Sequence, residues 1–115
     1  MDCIFCKIVA GEIPAQKVYE TETVLAFDDI SPAAPVHTLI IPKQHIPSVN
    51  EITPENSAVT ADLFLAAKEV AKIKGIDEGG YRLIVNTGKA GGQEVFHIHL
   101  HVLGGKESMG PMVVA

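Results

Sequence analysis

The chain has 115 residues, of which 47% are hydrophobic and 20% are charged, and its formal net charge is −5. This length and composition predict a single soluble globular domain. The negative charge leaves no footprint for a nucleic-acid backbone, and no apolar run reaches the roughly 18 to 20 residues of a membrane span. The N-terminus lacks the basic and apolar regions of a signal peptide, so we expect a cytoplasmic protein.

The first part of the chain predicts one short helix and a hairpin. Apolar residues at helical spacing indicate a helix from Cys3 to about Val9, which Gly11 ends. Residues 17–20 and 24–27 have the composition of two strands, and the polar residues between them predict a tight connection.

A third strand and a long helix follow. Residues 36–42 are rich in β-branched side chains and predict a central strand that Pro42 ends. Thr53 has the chemistry of an N-cap and Pro54 that of a first helical residue, so we expect the helix to begin there. Its apolar stripe continues to about Lys74.

The last predicted strands flank a glycine-rich loop. Residues 81–86 predict a fourth strand, and the loop of residues 86–93 turns the chain back into a fifth, residues 95–103. Strands with short connections around one long helix indicate the α+β class. We therefore expect a five-stranded antiparallel sheet with one long helix and a short N-terminal helix, in one domain spanning residues 1–115.

Histidines alternate with apolar residues in the fifth strand. His97, His99 and His101 should share one face of the sheet, because side chains of a strand alternate with a period of two. The outer two would stand about 13 Å apart on a straight strand, too far for one metal ion to bind all three. Separate roles fit better. A neutral imidazole can act as a nucleophile, and His99 is the natural candidate. The alternative is a row of exposed histidines without function.

Both cysteines lie in one Cys-x-x-Cys motif, Cys3 and Cys6. This motif is typical of half a metal site or of a redox pair. Metal binding is favoured, because no strand precedes the motif as it would in a redox βαβ unit. Two thiols without a ligand are the remaining alternative.

Two adjacent carboxylates, Asp28 and Asp29, follow the second strand. Such a pair is usually a solvated turn. Carboxylate oxygens can also accept the two hydroxyl donors of a ribose diol, so a ribose-binding role stays open.

The histidine motif resembles the signature of the histidine-triad (HIT) nucleotide-binding proteins, in which three histidines alternate with apolar residues. Further segments resemble the Hint branch of this family and together cover nearly the whole chain: residues 4–8, 12–14, 26–32, 37–42 and 91–93. The resemblance implies a HIT-like fold. It also implies hydrolysis of purine nucleoside phosphoramidates and adenylates through a covalent nucleotidyl-histidine. Dinucleoside polyphosphate hydrolysis, nucleotidyl transfer and nucleotide binding without turnover are the alternatives.

The resemblance also implies roles for individual residues. His99 matches the nucleophile, His101 the residue that holds a phosphate oxygen, and His97 the supporting member of the triad. His37 matches a buried histidine that connects to the triad. The remaining residues match the nucleotide-binding positions, namely the purine slot, the ribose-binding acid, the asparagine near the ribose-phosphate and the phosphate loop: Ile4, Phe5, Ile8, Phe27, Asp29, Ile30, Leu39, Asn86, Gly92, Gln93, Glu94 and Val95.

Three further expectations follow from the resemblance. Glu94 stands where many members have Ser or Thr, and its carboxylate either favours a cationic leaving group or points to solvent. A structural zinc ion would be bound by Cys3, Cys6, His45 and His97, as in some bacterial relatives, and catalysis would need no cofactor. The family also implies a homodimer.

Overall fold

One five-stranded antiparallel sheet organises the structure. The computed structural model describes residues 3–113. The α-helices and strands, in chain order, are α1 (Ile4–Val9), β1 (Lys17–Glu20), β2 (Val24–Asp28), β3 (Val36–Pro42), α2 (Ala58–Ile73), β4 (Arg82–Ile84) and β5 (Leu100–Gly104). The strands pair in the order β1-β2-β3-β5-β4. The predicted fold class is confirmed.

Alternation along the strands divides the core into two layers. In β3, Ile40 packs with the apolar side of α2, whereas Leu39 and Ile41 pack with α1. In β5, Leu100 is buried on the α2 side. Because successive side chains of a strand point to opposite faces, His101 points to the α1 side. The sheet therefore separates a plain apolar layer from a layer that contains histidines.

The long helix begins later than the sequence predicted. The predicted start at Thr53 and Pro54 is wrong, because residues 54–57 form turns and α2 begins at Ala58. The Asn56 side chain accepts a hydrogen bond from the Thr53 N–H (2.8 Å) and donates one to the Glu51 carbonyl (3.2 Å), which stabilises a local turn that competes with the helix. None of the helices in the described part of the chain is long and apolar enough to cross a membrane.

The predicted histidine strand is shorter than expected. Residues 95–97 form a bend, and residues 98 and 99 are outside any strand, so β5 begins only at Leu100. The Ile98 N–H donates to the carbonyl of Ile46, in the loop after β3, at 2.7 Å. That tertiary bond takes the place of a strand ladder, so the straight spacing of three imidazoles is not realised. The fourth strand is likewise reduced to Arg82–Ile84.

Packing of α2 on the sheet gives a direct stability test. Leu63 is 4% exposed and lies in the core cluster with the sheet. We expect Leu63→Ala to lower the free energy of unfolding by about 2 to 5 kcal/mol, because it removes buried methyl groups and leaves a cavity. The control Lys68→Ala, at an exposed position of the same helix, should change it by less than about 0.5 kcal/mol. Urea unfolding followed by circular dichroism measures both, and equal losses would contradict this packing.

Candidate active site

A cavity of about 500 Å³ opens on the α1 side of the sheet. Its walls come from α1, β2, β3, the turn after β2, the glycine-rich loop and the histidine segment. The predicted binding residues that line it are Ile4, Phe5, Ile8, Phe27, Asp29, Ile30, Leu39, Asn86, Gly92, Glu94 and Val95, together with His99 and His101. Their roles in binding stay predictions.

Gln93 does not line this cavity. Its side chain is buried and faces inward, where it accepts from the Gly88 N–H (3.0 Å) and donates to the carbonyls of Pro47 (2.7 Å) and Val95 (3.0 Å). Gln93 therefore holds the loop in place. Sequence reasoning grouped it with the cavity residues because a loop pattern does not show which side chains turn inward.

Further lining residues were not among the predicted binding residues: Ile13, Pro14, Ala15 and Ser31. Asp28, which the sequence offered with Asp29 as a possible ribose ligand, also lines the cavity. Ile13 and Ala15 pack against the apolar cluster of α1 in an extended segment. An Ile-Pro pair after a helix predicts extended chain, but it does not predict what that chain faces.

The inner wall of the cavity is aromatic. The Phe5 ring packs edge-to-face on Phe27, with ring centroids 5.6 Å apart, and on His99, at 5.1 Å. Ile30 is 97% exposed at the mouth. An apolar slot bordered by rings and aliphatic side chains suits a flat aromatic ligand.

One hydrogen bond fixes the protonation of His99. Its Nδ1 lies 2.9 Å from the His97 carbonyl oxygen. A carbonyl only accepts, so Nδ1 carries the proton, and in the neutral ring Nε2 has a free lone pair. Burial lowers the pKa of His99, which favours the neutral ring at neutral pH.

His101 is oriented by a second chain of hydrogen bonds. The Ala33 N–H donates to Nδ1 of His37 at 3.0 Å, so the proton of the neutral His37 is on Nε2. That Nε2–H donates to Nδ1 of His101 at 2.9 Å, and Nε2 of the neutral His101 must then carry a proton. Burial, reinforced by the neighbouring His99 and His37, lowers the pKa of His101 to about 4.

The two outer nitrogens therefore have opposite character. Nε2 of His99 offers a lone pair and Nε2 of His101 offers a proton, and the two ring centroids are 4.9 Å apart. Within residues 3–113 every buried side-chain nitrogen and oxygen has a hydrogen-bond partner. The Nε2 atoms of His99 and His101 have no such partner in that range, so neither of these two atoms is buried. Both are accessible from the cavity.

Two amides of the glycine-rich loop also remain available. The N–H groups of Gly92 and Gln93 donate to the carbonyls of Lys89 (3.1 Å) and Gly88 (3.0 Å). Those of Glu94 and Val95 have no partner within the described residues. The turn is tight, because a Cβ on Gly91 would overlap the carbonyl oxygen of Thr87. Asn86 donates to the Gly91 carbonyl at 2.7 Å and stabilises it.

The adjacent carboxylates separate into two environments. Asp28 accepts from the Thr38 hydroxyl (2.9 Å) and pairs with Lys74 of the α2 layer (3.0 Å). Asp29 accepts from the Ser31 N–H at 2.8 Å, and its other oxygen lies 3.5 Å from Nε2 of His37. Asp29 is therefore the carboxylate positioned beside the histidines.

Cys3, Cys6, His45 and His97 place their sulfur and nitrogen atoms within 4.8 Å of one another. Nδ1 of His97 lies 3.3 Å from the sulfur of Cys3 and 3.2 Å from Nδ1 of His45. Around a tetrahedral ion with bonds of about 2.0 to 2.3 Å, such atoms would be about 3.3 to 3.8 Å apart. Nε2 of His97 donates to the Pro42 carbonyl at 2.8 Å, which leaves the Nδ1 lone pair for a metal. This group fits a metal ion.

Asp29, His37 and His101 form a second compact group of possible ligand atoms. The hydrogen bonds argue against a metal there. The Ala33 N–H occupies the lone pair of His37 Nδ1, so the proton of His37 lies on Nε2, the atom that would have to bind the ion.

Comparison with known proteins agrees with the fold and shows the family. A family model described as HIT domain matches residues 10–108. The purine nucleoside phosphoramidase of Escherichia coli (strain K12) is 49% identical over 112 residues, which cover 97% of this chain and 93% of that relative. Protein HitA of Neisseria gonorrhoeae is 50% identical over 103 residues, 90% of this chain and 95% of the relative. The chain belongs to the HIT family.

Solved structures support the same assignment. A HIT family hydrolase from Clostridium thermocellum superimposes with a TM-score of 0.94 at 53% identity, covering 98% of this chain and 97% of that one. A histidine triad protein from Clostridium difficile gives 0.92 at 46% identity, covering 97% of each chain. The resemblance drawn from the sequence motifs is confirmed.

The low pKa of His101 predicts a pH dependence of stability. The folded protein binds its proton near pH 4, whereas the unfolded chain binds it near pH 6.5. As the pH falls through this interval the unfolded state takes up the proton first, so stability is lost at up to about 1.4 kcal/mol per pH unit. His101→Gln should lose less stability than the unmodified protein between pH 6.5 and 4. Urea titrations at several pH values measure this, and parallel losses would contradict it.

Proposed function

We propose that the protein hydrolyses purine nucleoside 5′-phosphoramidates and related adenylates through a covalent nucleotidyl-histidine at His99. The proposal depends on one observation above all, the opposite character of the Nε2 atoms of His99 and His101 in one cavity. The similarity to the Escherichia coli purine nucleoside phosphoramidase supports the choice of substrate.

In the first step, Nε2 of His99 attacks phosphorus and the P–N bond breaks. The nitrogen leaves as the amine with a proton taken from solvent. The Nδ1–H bond to the His97 carbonyl stabilises the positive charge that the ring acquires. The His101 Nε2–H and the amides of Glu94 and Val95 donate to the phosphoryl oxygens, where negative charge is spread in the transition state. In the second step, water attacks phosphorus and gives a proton to solvent. The bond between phosphorus and Nε2 of His99 breaks, and the nucleoside monophosphate is released.

The rest of the nucleotide follows from the walls of the cavity. The purine lies in the slot beside Phe5 and Phe27, where flat apolar contacts dominate. Asp29 is held by the Ser31 amide and accepts the ribose hydroxyls. Glu94 contributes its backbone N–H to the phosphate, and its side chain is exposed.

The nucleophile can be tested directly. His99→Ala should lower kcat/KM for adenosine 5′-phosphoramidate by about 10³-fold or more, because no other group forms the covalent bond. Glu78→Gln, at an exposed position outside the cavity, serves as the control. Mass spectrometry of a reaction quenched during turnover should show one added nucleoside monophosphate on the peptide with His99.

Two results would count against this function. One is turnover without an adduct on His99. The other is faster hydrolysis of diadenosine polyphosphate than of the phosphoramidate, which would favour the alternative activity on the same fold.

We propose zinc as the ion at the Cys3, Cys6, His45 and His97 group. Two thiolates and two imidazoles in a tetrahedral arrangement are the typical donors of structural zinc, and all four positions are supplied by protein. With no open position, such an ion would stabilise the fold rather than take part in catalysis.

We also propose a homodimer. On α2, Phe64, Leu65 and Ile73 are at least half exposed, and an apolar surface of this kind marks an interface. Sedimentation at micromolar concentration should give twice the chain mass. Phe64→Asp should shift the protein to the monomer, whereas Gln44→Asp, at an exposed position in the loop after β3, should not. A monomeric unmodified protein would contradict the proposal.

A further inference from the structure

The cysteine–histidine group, formed by Cys3, Cys6, His45 and His97, shares a helix with the cavity. Cys6 lies in α1, and Cys3 is its N-cap, with a sulfur that accepts the Cys6 N–H at 3.3 Å. The same helix supplies Ile4, Phe5 and Ile8 to the cavity wall. Because α1 has only 6 residues, too few for an isolated helix to be stable, its position depends on tertiary contacts.

A second connection passes through His97. Its ring nitrogen belongs to the cysteine–histidine group, and its carbonyl accepts the Nδ1–H of His99. Phe5 contacts both rings, with centroids 5.8 Å from His97 and 5.1 Å from His99. The group and the cavity are therefore in direct contact.

We infer that an ion bound by Cys3, Cys6, His45 and His97 anchors α1 over the cavity, so that metal occupancy sets the affinity for the purine part of a nucleotide. The inference depends on the proposed function only for the choice of ligand. Cys3, Cys6 and His45 are positioning residues, since they act on the nucleotide through α1 and His97.

The physical reason is the number of elements that meet at the group. The two sulfurs move with α1, His45 belongs to the loop after β3, and His97 is 0% exposed and fixed to Pro42. An ion bound by all four residues would connect α1 to the loop after β3, through His45, and to the segment before β5, through His97. Without the ion, only packing contacts hold this six-residue helix in place beside the base slot.

His45 offers the cleanest test. It approaches only Cys6 and His97 among the described contacts of its side chain, and it does not line the cavity. We expect His45→Ala to lose zinc and to bind AMP at least about tenfold more weakly, within the 5- to 150-fold range of typical coupling. The control Gln44→Ala, an exposed neighbour, should retain both. Zinc is measured with a chromogenic chelator and AMP binding by isothermal titration calorimetry.

The base slot makes the effect specific. Ribose 5-phosphate, which lacks the base, should lose less than about threefold in affinity in His45→Ala, because α1 contacts the base. Linkage requires the reciprocal effect, so AMP should tighten zinc binding in the unmodified protein by the same factor that zinc tightens AMP. Equal losses for both ligands, or no reciprocal effect, would overturn the inference.

Hydrogen exchange tests the anchor without any nucleotide. The Lys7 and Ala10 amides, bonded to the carbonyls of Cys3 and Cys6 at 3.0 Å, should exchange faster after zinc removal, while those of α2 keep their protection. Unchanged exchange in α1, in zinc-free protein that remains folded, would overturn the inference. Failure of the zinc-loaded protein to bind AMP would count against the proposed function instead, and the exchange result would still decide the anchor.

Discussion

The hydrogen bond from His99 Nδ1 to the His97 carbonyl is the constraint on which the chemistry of the site depends. It determines the tautomer without any help from solvent, because the carbonyl can only accept. The bend that presents this carbonyl is held by the bond between Ile98 and Ile46. A backbone interaction between the segment before β5 and the loop after β3 thus sets the direction of a side-chain lone pair.

Burial acts with the hydrogen bonds. It lowers the pKa of His97, His99 and His101, which favours the neutral form of each ring. Only the neutral form keeps a nitrogen lone pair. The order of donors from Ala33 through His37 to His101 gives the proton on His101 a fixed direction. The same lowering of the His101 pKa makes the folded protein less stable in acid.

The sequence predicted the parts of the structure that depend on periodicity. The placement of His101 on the face opposite Leu100 follows from the period of two that was predicted for the histidine strand. The errors arose where a tertiary or side-chain bond overrides local preference, as at Asn56 before α2 and at Ile98 before β5.

Other features of the site leave no trace in a sequence pattern. Ala33 acts only through its backbone N–H, so its residue type says nothing about the tautomer of His37. Gln93 and Glu94 are neighbours in one loop, yet one side chain turns inward and the other is exposed. A motif identifies the loop, but only the fold shows which groups face the cavity.

His97 and His37 show how the hydrogen-bond partner of one ring nitrogen determines what the other ring nitrogen can do. Nε2 of His97 donates to the Pro42 carbonyl, so the ring proton lies on Nε2 and the lone pair of Nδ1 faces the cysteines. Nδ1 of His37 accepts from the Ala33 N–H, so the ring proton lies on Nε2, which donates to His101. The same side chain is thereby prepared for a cation in one place and for proton donation in the other. Removing the backbone partner, rather than the histidine, would change that choice. Every residue type keeps the carbonyl at position 42, whereas Ala33→Pro would remove the N–H at position 33.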